Sequence, residues 1–180
     1  MPEPEETVPF LDRVICLRPL RAEDRASLEE LARRTEPHDL QMRFLGGFRS
    51  LPPALLDELM RIEPERRITL IASGCTREAR REILAVARAH AAAGGTAEIA
   101  LLVRSDLKGK GLGSVMLDRL IARCRRRGLK FLIGDMLQQN ARMLRLAQKF
   151  RFRVEPADHG VTRLILELDP RCRVSGSTSS

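Results

Sequence analysis

The segment Lys108-Gly-Lys-Gly-Leu-Gly-Ser114 follows an apolar run and precedes a strongly amphipathic stretch. Glycines at this spacing let a backbone turn tightly and approach a ligand, leaving N–H groups without carbonyl partners. Where such a turn opens a helix, the free N–H groups and the helix dipole together seat an anion, and a pyrophosphate suits them. Lys108 and Lys110 add positive charge at the mouth. Two other phosphate motifs do not match. A P-loop needs G-x-x-x-x-G-K followed by Ser or Thr, which occurs nowhere. The dinucleotide pattern G-x-G-x-x-G that starts at Gly111 needs glycine where Met116 stands. A glycine-rich turn without a ligand is the alternative.

Other candidate groups are less specific. Asn140 precedes a helical pattern, where Asn is a favoured N-cap, and its amide also suits a ligand. Asp135 ends an apolar run and is a possible second acid. His38 and His90 have no partner carboxylate in a recognisable pattern and read as surface residues. Arg125-Arg-Arg127 ends a helical pattern, where cations suit the dipole. The cysteines Cys16, Cys75, Cys124 and Cys172 form no C-x-x-C pair and no spacing with histidines, so no metal site and a reducing compartment are expected.

Charge narrows the partner. Among the 180 residues, the first ninety carry 15 Lys and Arg against 16 Asp and Glu; the last ninety carry 17 against 8. The basic half attracts an anion. With no Trp, no Tyr and six Phe, the chain lacks the stacking platforms of single-strand binders. A small phosphate-bearing ligand fits better than nucleic acid, and solvated basic faces are the plainer reading. No apolar run reaches a membrane span, and the acidic N-terminus lacks a signal pattern, so a soluble cytoplasmic protein is expected.

Elements must place these groups. Residues 1–12 read as a flexible lead, 13–170 as one domain and 171–180 as a disordered, Ser-rich tail. Strands are predicted at 14–18, 68–73, 82–89, 98–103, 130–137 and 161–168. Helices are predicted at 22–34, within 35–48, at 51–62, after the glycine segment, and after Asn140. The central strands joined by turns suggest an antiparallel meander. The later strand-helix-strand segment requires a parallel pair, so the sheet is mixed.

Lys108-Gly-Lys-Gly-Leu-Gly113 resembles the R/Q-x-x-G-x-G/A motif of the GNAT family of N-acetyltransferases, and the element order matches that family from about Val14 to Asp169. Asn140, Ala147 and Phe152 fit its last-helix pattern. Leu17-Arg-Pro-Leu20, His38-Asp-Leu-Gln-Met-Arg-Phe44, Glu63-Pro-Glu-Arg-Arg67 and the run after Asn140 look like the acetyltransferase domain of bacterial protein lysine acetyltransferases. The resemblance implies an α/β (α+β) GNAT fold: a mixed, mostly antiparallel sheet of about six to seven strands flanked by about four to five helices. It implies acetyl-CoA as cosubstrate, no metal, and an amine acceptor, a protein lysine, acyl-CoA synthetases being the suggested targets. Oligomeric state is left open. Three positions depart from the pattern. Lys108 replaces Gln or Arg, Ala147 replaces a tyrosine that protonates the leaving thiolate, and Arg151 replaces a glycine.

Acetyl transfer needs a held cofactor, a neutral amine and a stabilised thioester oxygen. A lysine ammonium, with pKa near 10.4, must lose its proton to a base. The resemblance places that base at Glu98, an acid in the apolar stretch Glu-Ile-Ala-Leu-Leu-Val, where partial burial would raise its pKa. A strand-end glutamate in solvent or paired with an arginine is the alternative. The cofactor site is expected at Leu101, Leu102, Val103, Lys108, Gly109, Lys110, Gly111, Leu112, Gly113, Ser114 and Asn140. Backbone N–H groups near Leu102 and Val103 would hold the thioester oxygen, with the pantetheine lying along that edge like an added strand. Arg125–Arg127 could meet the 3′-phosphate of coenzyme A. Without a tyrosine, the thiolate takes its proton from water or another group, or leaves bare, which a thiol pKa near 8.5 tolerates. Small-molecule amine acetylation and non-catalytic acyl-CoA sensing remain open alternatives.

Overall fold

The computed structural model describes residues 5–48, 50–75 and 81–169. They form one mixed sheet with helices on both faces. The strands are β1 (Glu6–Phe10), β2 (Arg13–Pro19), β3 (Arg67–Cys75), β4 (Arg81–Ala91), β5 (Thr96–Val103), β6 (Phe131–Leu137), β7 (Arg153–Pro156) and β8 (Val161–Glu167). The helices are α1 (Arg25–Arg33), α2 (Pro37–Arg43), α3 (Pro53–Leu59), α4 (Leu112–Arg126) and α5 (Ala141–Lys149). The sheet has eight strands in the order β1-β2-β3-β4-β5-β6-β8-β7. Every neighbouring pair is antiparallel except β5 and β6. That parallel pair follows from connectivity, because α4 carries the chain across the sheet between them.

The helices bury apolar stripes on opposite faces. On one face α4 buries Leu112, Met116, Leu117, Leu120, Ile121 and Cys124 against the sheet. On the other, Leu28 and Leu31 of α1 and Leu56 of α3 pack on Ile71, Ile83 and Val86. Each fully buried leucine contributes about 1.5–3 kcal/mol relative to exposure. At the far end of β5, the Glu82 carboxylate accepts hydrogen bonds from Arg13 and Arg104, each at 2.6 Å, and from Arg34 at 3.2 Å. This buried cluster fixes the strand end from which the glycine segment departs.

The sheet is larger than the expected six to seven strands. Residues 6–10, within the segment expected to be a flexible lead, form β1, which pairs with β2 from Glu6↔Leu17 to Phe10↔Arg13. Pro9 masked this strand in the sequence, but β1 is an edge strand, where proline is tolerated. The other unforeseen strand, β7, is also an edge strand and only 4 residues long. The tail expected at 171–180 lies outside the described residues. No helix among the described residues is long and apolar enough to cross a membrane.

Candidate active site

The parallel pairing of β5 with β6 stops early. It covers Thr96↔Phe131, Ala97↔Leu132 and Glu98↔Ile133, and beyond these the strands separate. Gly134 sits at the fork, where a Cβ would come within 3.1 Å of Ile99. The register shows which backbone groups are left over. Arg104 N–H donates to Leu84 O at 3.0 Å, and Ala92 N–H donates to Thr96 O at 2.7 Å. Backbone direction alternates along an antiparallel pair, so Glu98, Ala100 and Leu102 turn their polar groups toward β4. Leu101 and Val103 turn theirs toward the gap left by β6. The thioester contact expected near Leu102 and Val103 therefore falls on Leu101 and Val103 on backbone grounds. Leu102 contributes its side chain.

A cavity of about 370 Å³ opens along this free edge. Leu101, Leu102, Val103, Lys108, Gly109, Gly111, Gly113, Ser114 and Asn140, all expected from the sequence, line it. Two expected residues do not. Leu112 is fully buried and anchors the first turn of α4, and Lys110 points to solvent. The glycine segment has the conformation its composition foretold. Gly109 and Gly111 have φ of +77° and +92°, in the left-handed region that favours glycine. The N–H groups of Gly109, Lys110, Gly111, Leu112 and Gly113 donate to no backbone carbonyl among the described residues. They form an anion cradle at the N-terminus of a 15-residue helix.

Asn140 does two things at once. Its Oδ1 accepts the Met143 N–H at 3.1 Å, capping α5, and the residue also lines the cavity. Several lining residues were not foreseen, namely Arg142, Arg145 and Lys149 of α5 and Asp39, Met42 and Arg43 of α2. The basic residues of α5 recur at spacings of three and four, a stripe whose meaning depends on what the helix faces. Lys149 Nζ donates to Ser114 Oγ at 3.1 Å, bringing this stripe beside the cradle. Lys108 Nζ donates to Asp39 Oδ1 at 2.6 Å, and the Ser105 hydroxyl donates to Asp39 Oδ2 at 2.6 Å. Burial pushes the Asp39 carboxyl up, but these hydrogen bonds outweigh it and hold the group below the usual carboxylate range. Arg125, Arg126 and Arg127 do not line the cavity; the Arg127 guanidinium donates to Pro64 O at 2.6 Å.

Glu98 lies where β5 and β6 part. Its side chain is exposed rather than partly buried, although it shares the β5 face with Leu102, which packs against the cluster formed with α1 and α3. It stands directly opposite His90 of β4, a juxtaposition that only the register reveals. His38 lies exposed in the first turn of α2. Asp135 pairs with Arg163, with both nitrogen–oxygen distances at 2.9 Å. Ala147, at the position of the family tyrosine, is completely buried. Arg151, at the position of the family glycine, has φ of +61°.

Comparison with known proteins agrees with this geometry. Residues 15–153 match the model of the acetyltransferase (GNAT) domain. The chain belongs to the GNAT family of acetyltransferases. An acetyltransferase of Pseudomonas aeruginosa is 33 % identical over 118 residues, which are 66 % of this chain and 63 % of that protein. The match thus spans less than two thirds of that relative's length. The GNAT domain of PAT from S. lividans superposes with a TM-score of 0.80 at 22 % identity, covering 91 % of this chain and 96 % of that one. The protein yncA from Salmonella typhimurium, solved with its cofactor acetyl-CoA, superposes with a TM-score of 0.67 at 20 % identity, covering 88 % of this chain and 96 % of that one. As a GNAT protein, this chain carries an acetyltransferase domain.

Proposed function

We propose that the chain transfers the acetyl group of acetyl-CoA to a protein lysine, with Glu98 as the base. The observation that carries this reading is the free edge of β5, which runs from the glycine cradle past Leu101 toward Glu98, itself outside the cavity lining. The cradle N–H groups and Lys149 suit the pyrophosphate of coenzyme A. The pantetheine arm, laid along Val103 and Leu101, gains the backbone partners that β6 abandons. At about 3.3 Å per residue, an arm running from Val103 toward Ile99 ends beside Glu98. A Leu101 N–H directed at the thioester oxygen would stabilise the charge that develops there.

The chemistry then follows from these positions. Glu98 removes a proton from the acceptor ammonium. The neutral amine attacks the thioester carbon, a C–N bond forms, and the C–S bond breaks. The second amine proton goes to solvent, and the sulfur leaves as thiolate. Ala147 leaves no tyrosine to protonate it. The likeness to the GNAT domain of PAT, together with the matching stretches around His38–Phe44, favours a lysine of a protein as acceptor.

The variant Glu98→Gln tests the reading. Acetyl-CoA affinity, measured by calorimetry, should stay unchanged. Acetylation of lysine-bearing proteins, followed by thiol release, should fall by about 10²–10⁴-fold, the usual size of a general-base contribution. Unchanged turnover would remove Glu98 from the mechanism. Turnover only on small amines would remove the protein acceptor.

A further inference from the structure

Arg43 is the last residue of α2, lines the cavity and lies close enough to Glu98 and Arg88 to feel their charges. Its guanidinium carbon lies 4.7 Å from the centre of the Phe44 ring. Among the described residues it makes neither an ion pair nor a hydrogen bond. Asp39, one helical turn earlier, is the natural partner for an arginine at this spacing. Lys108 and Ser105 already hold Asp39 at 2.6 Å each. Glu98 acts on Arg43 through space without bonding to it.

A second cation deepens the imbalance. Arg88 of β4 sits two residues from His90, on the face that carries Glu98, and its charge reaches Arg43. Its hydrogen bond is a long one, 3.4 Å to Glu58 O. Burial, with the repulsion between these arginines, lowers Arg43 to about 10. Burial and the neighbouring Arg67 lower Arg88 to about 10. A desolvated guanidinium facing an open cavity is stabilised by an anion placed in its fork.

That anion is not a phosphate of the cofactor. The cradle and Lys149 lie at the other end of β5, beyond Val103, and Glu98 marks the acceptor's end. Arg43 offers one guanidinium fork without an ion pair or hydrogen bond among the described residues, which matches a monoanion. We propose that the acceptor carries a carboxylate near its reacting amine, and that Arg43 binds this carboxylate and so selects the acceptor. The proposal rests on the acetyl-transfer reading for which end of the cavity receives the amine. The carboxylate could belong to a free amino acid or to an Asp or Glu beside the target lysine.

Two ligand pairs separate these sources and test the proposal. One is Nα-acetyl-lysine with its C-terminal amide. The other is a lysine peptide with Asp, or with Asn, next to the lysine. Each is titrated calorimetrically into the protein loaded with coenzyme A, so that no turnover is needed. Wild type should bind the acid member of at least one pair about 10–100-fold more tightly, as a charged hydrogen-bonded pair implies. The pair that shows the preference identifies the source. Arg43→Gln should bring the ratio close to one, and Arg43→Lys should restore part of it, having charge without the fork. Equal or absent binding by wild type in both pairs would overturn the proposal, as would a preference that survives in Arg43→Gln. Acetylation of the same ligands is read separately. A binding preference without acetylation would count against the transfer reading and leave the carboxylate site standing.

Discussion

Replacing Gly111 or Gly113 by alanine adds the same methyl group two residues apart, and the structure gives the two changes opposite signs. Gly111 is the N-cap of α4, with φ of +92° and ψ of −12°. A Cβ there meets nothing within 4 Å, so space is not the issue. The cost is conformational, about 1–2 kcal/mol for an L-residue in the left-handed region. A domain of this size shifts its melting temperature by about 2–4 °C per kcal/mol, so Gly111→Ala should melt about 2–8 °C lower. Gly113 lies inside the first turn with helical backbone. Its Cβ would sit 3.6 Å from Leu101 Cδ2, 3.6 Å from Leu146 Cδ2 and 3.7 Å from Val103 Cγ2, which is ordinary contact. Helix propensity and a less flexible unfolded chain favour alanine by up to about 1 kcal/mol. Gly113→Ala should therefore melt up to about 4 °C higher. Gly113 also lines the cavity, so the same methyl takes up space that the bound cofactor would occupy, where overpacking costs about 1–3 kcal/mol of binding. Acetyl-CoA affinity should fall by roughly 5–100-fold. Scanning calorimetry and titration calorimetry on both variants read these quantities. Two variants that shift in the same direction would refute the backbone argument. A stabilised Gly113→Ala with unchanged affinity would refute the placement of the cofactor.

Two further outcomes are expected. Arg151 is exposed at φ of +61°, so Arg151→Gly should stabilise the fold by about 1 kcal/mol in chemical denaturation, an effect absent if that turn is not left-handed. Asp39→Asn should cost about 1–2 kcal/mol at pH 7, because it removes the Lys108 ion pair and weakens the Ser105 contact. The Asp39 carboxyl is held below its ordinary range, so its contribution is present above about pH 4–5 and is lost as pH falls through the lowered value. The gap between wild type and variant should therefore close in acid, and a gap that stays constant with pH would exclude the ion pair.

The glycine cradle was legible because its causes are local. Gly109 and Gly111 stand where the chain needs a left-handed turn, and the 3–4 spacing from Leu112 to Cys124 announces the helix that follows. The Asn140 cap and the six longest strands read out for similar reasons. The edge strands β1 and β7 did not, since Pro9 and a four-residue exposed run carry no strand signal by themselves. Their pairing comes from neighbours already in place. For Glu98 the sequence left two readings open, partly buried among its apolar flanks or a strand-end acid in solvent, and the tertiary structure selects the exposed one.

Composition, glycine spacing and hydrophobic period thus determined the anion cradle, the helix behind it and a mixed sheet with one parallel pair, all features carried by elements that follow one another along the chain. Only the tertiary structure decided which groups meet across long separations: Glu98 opposite His90, Asp39 engaged by Lys108, and Arg43 left beside the cavity with no ion pair among the described residues. Each of these depends on strand register and on how α2 docks against β5 and β6. A shift of one residue in register would turn every side chain of the strand to the other face.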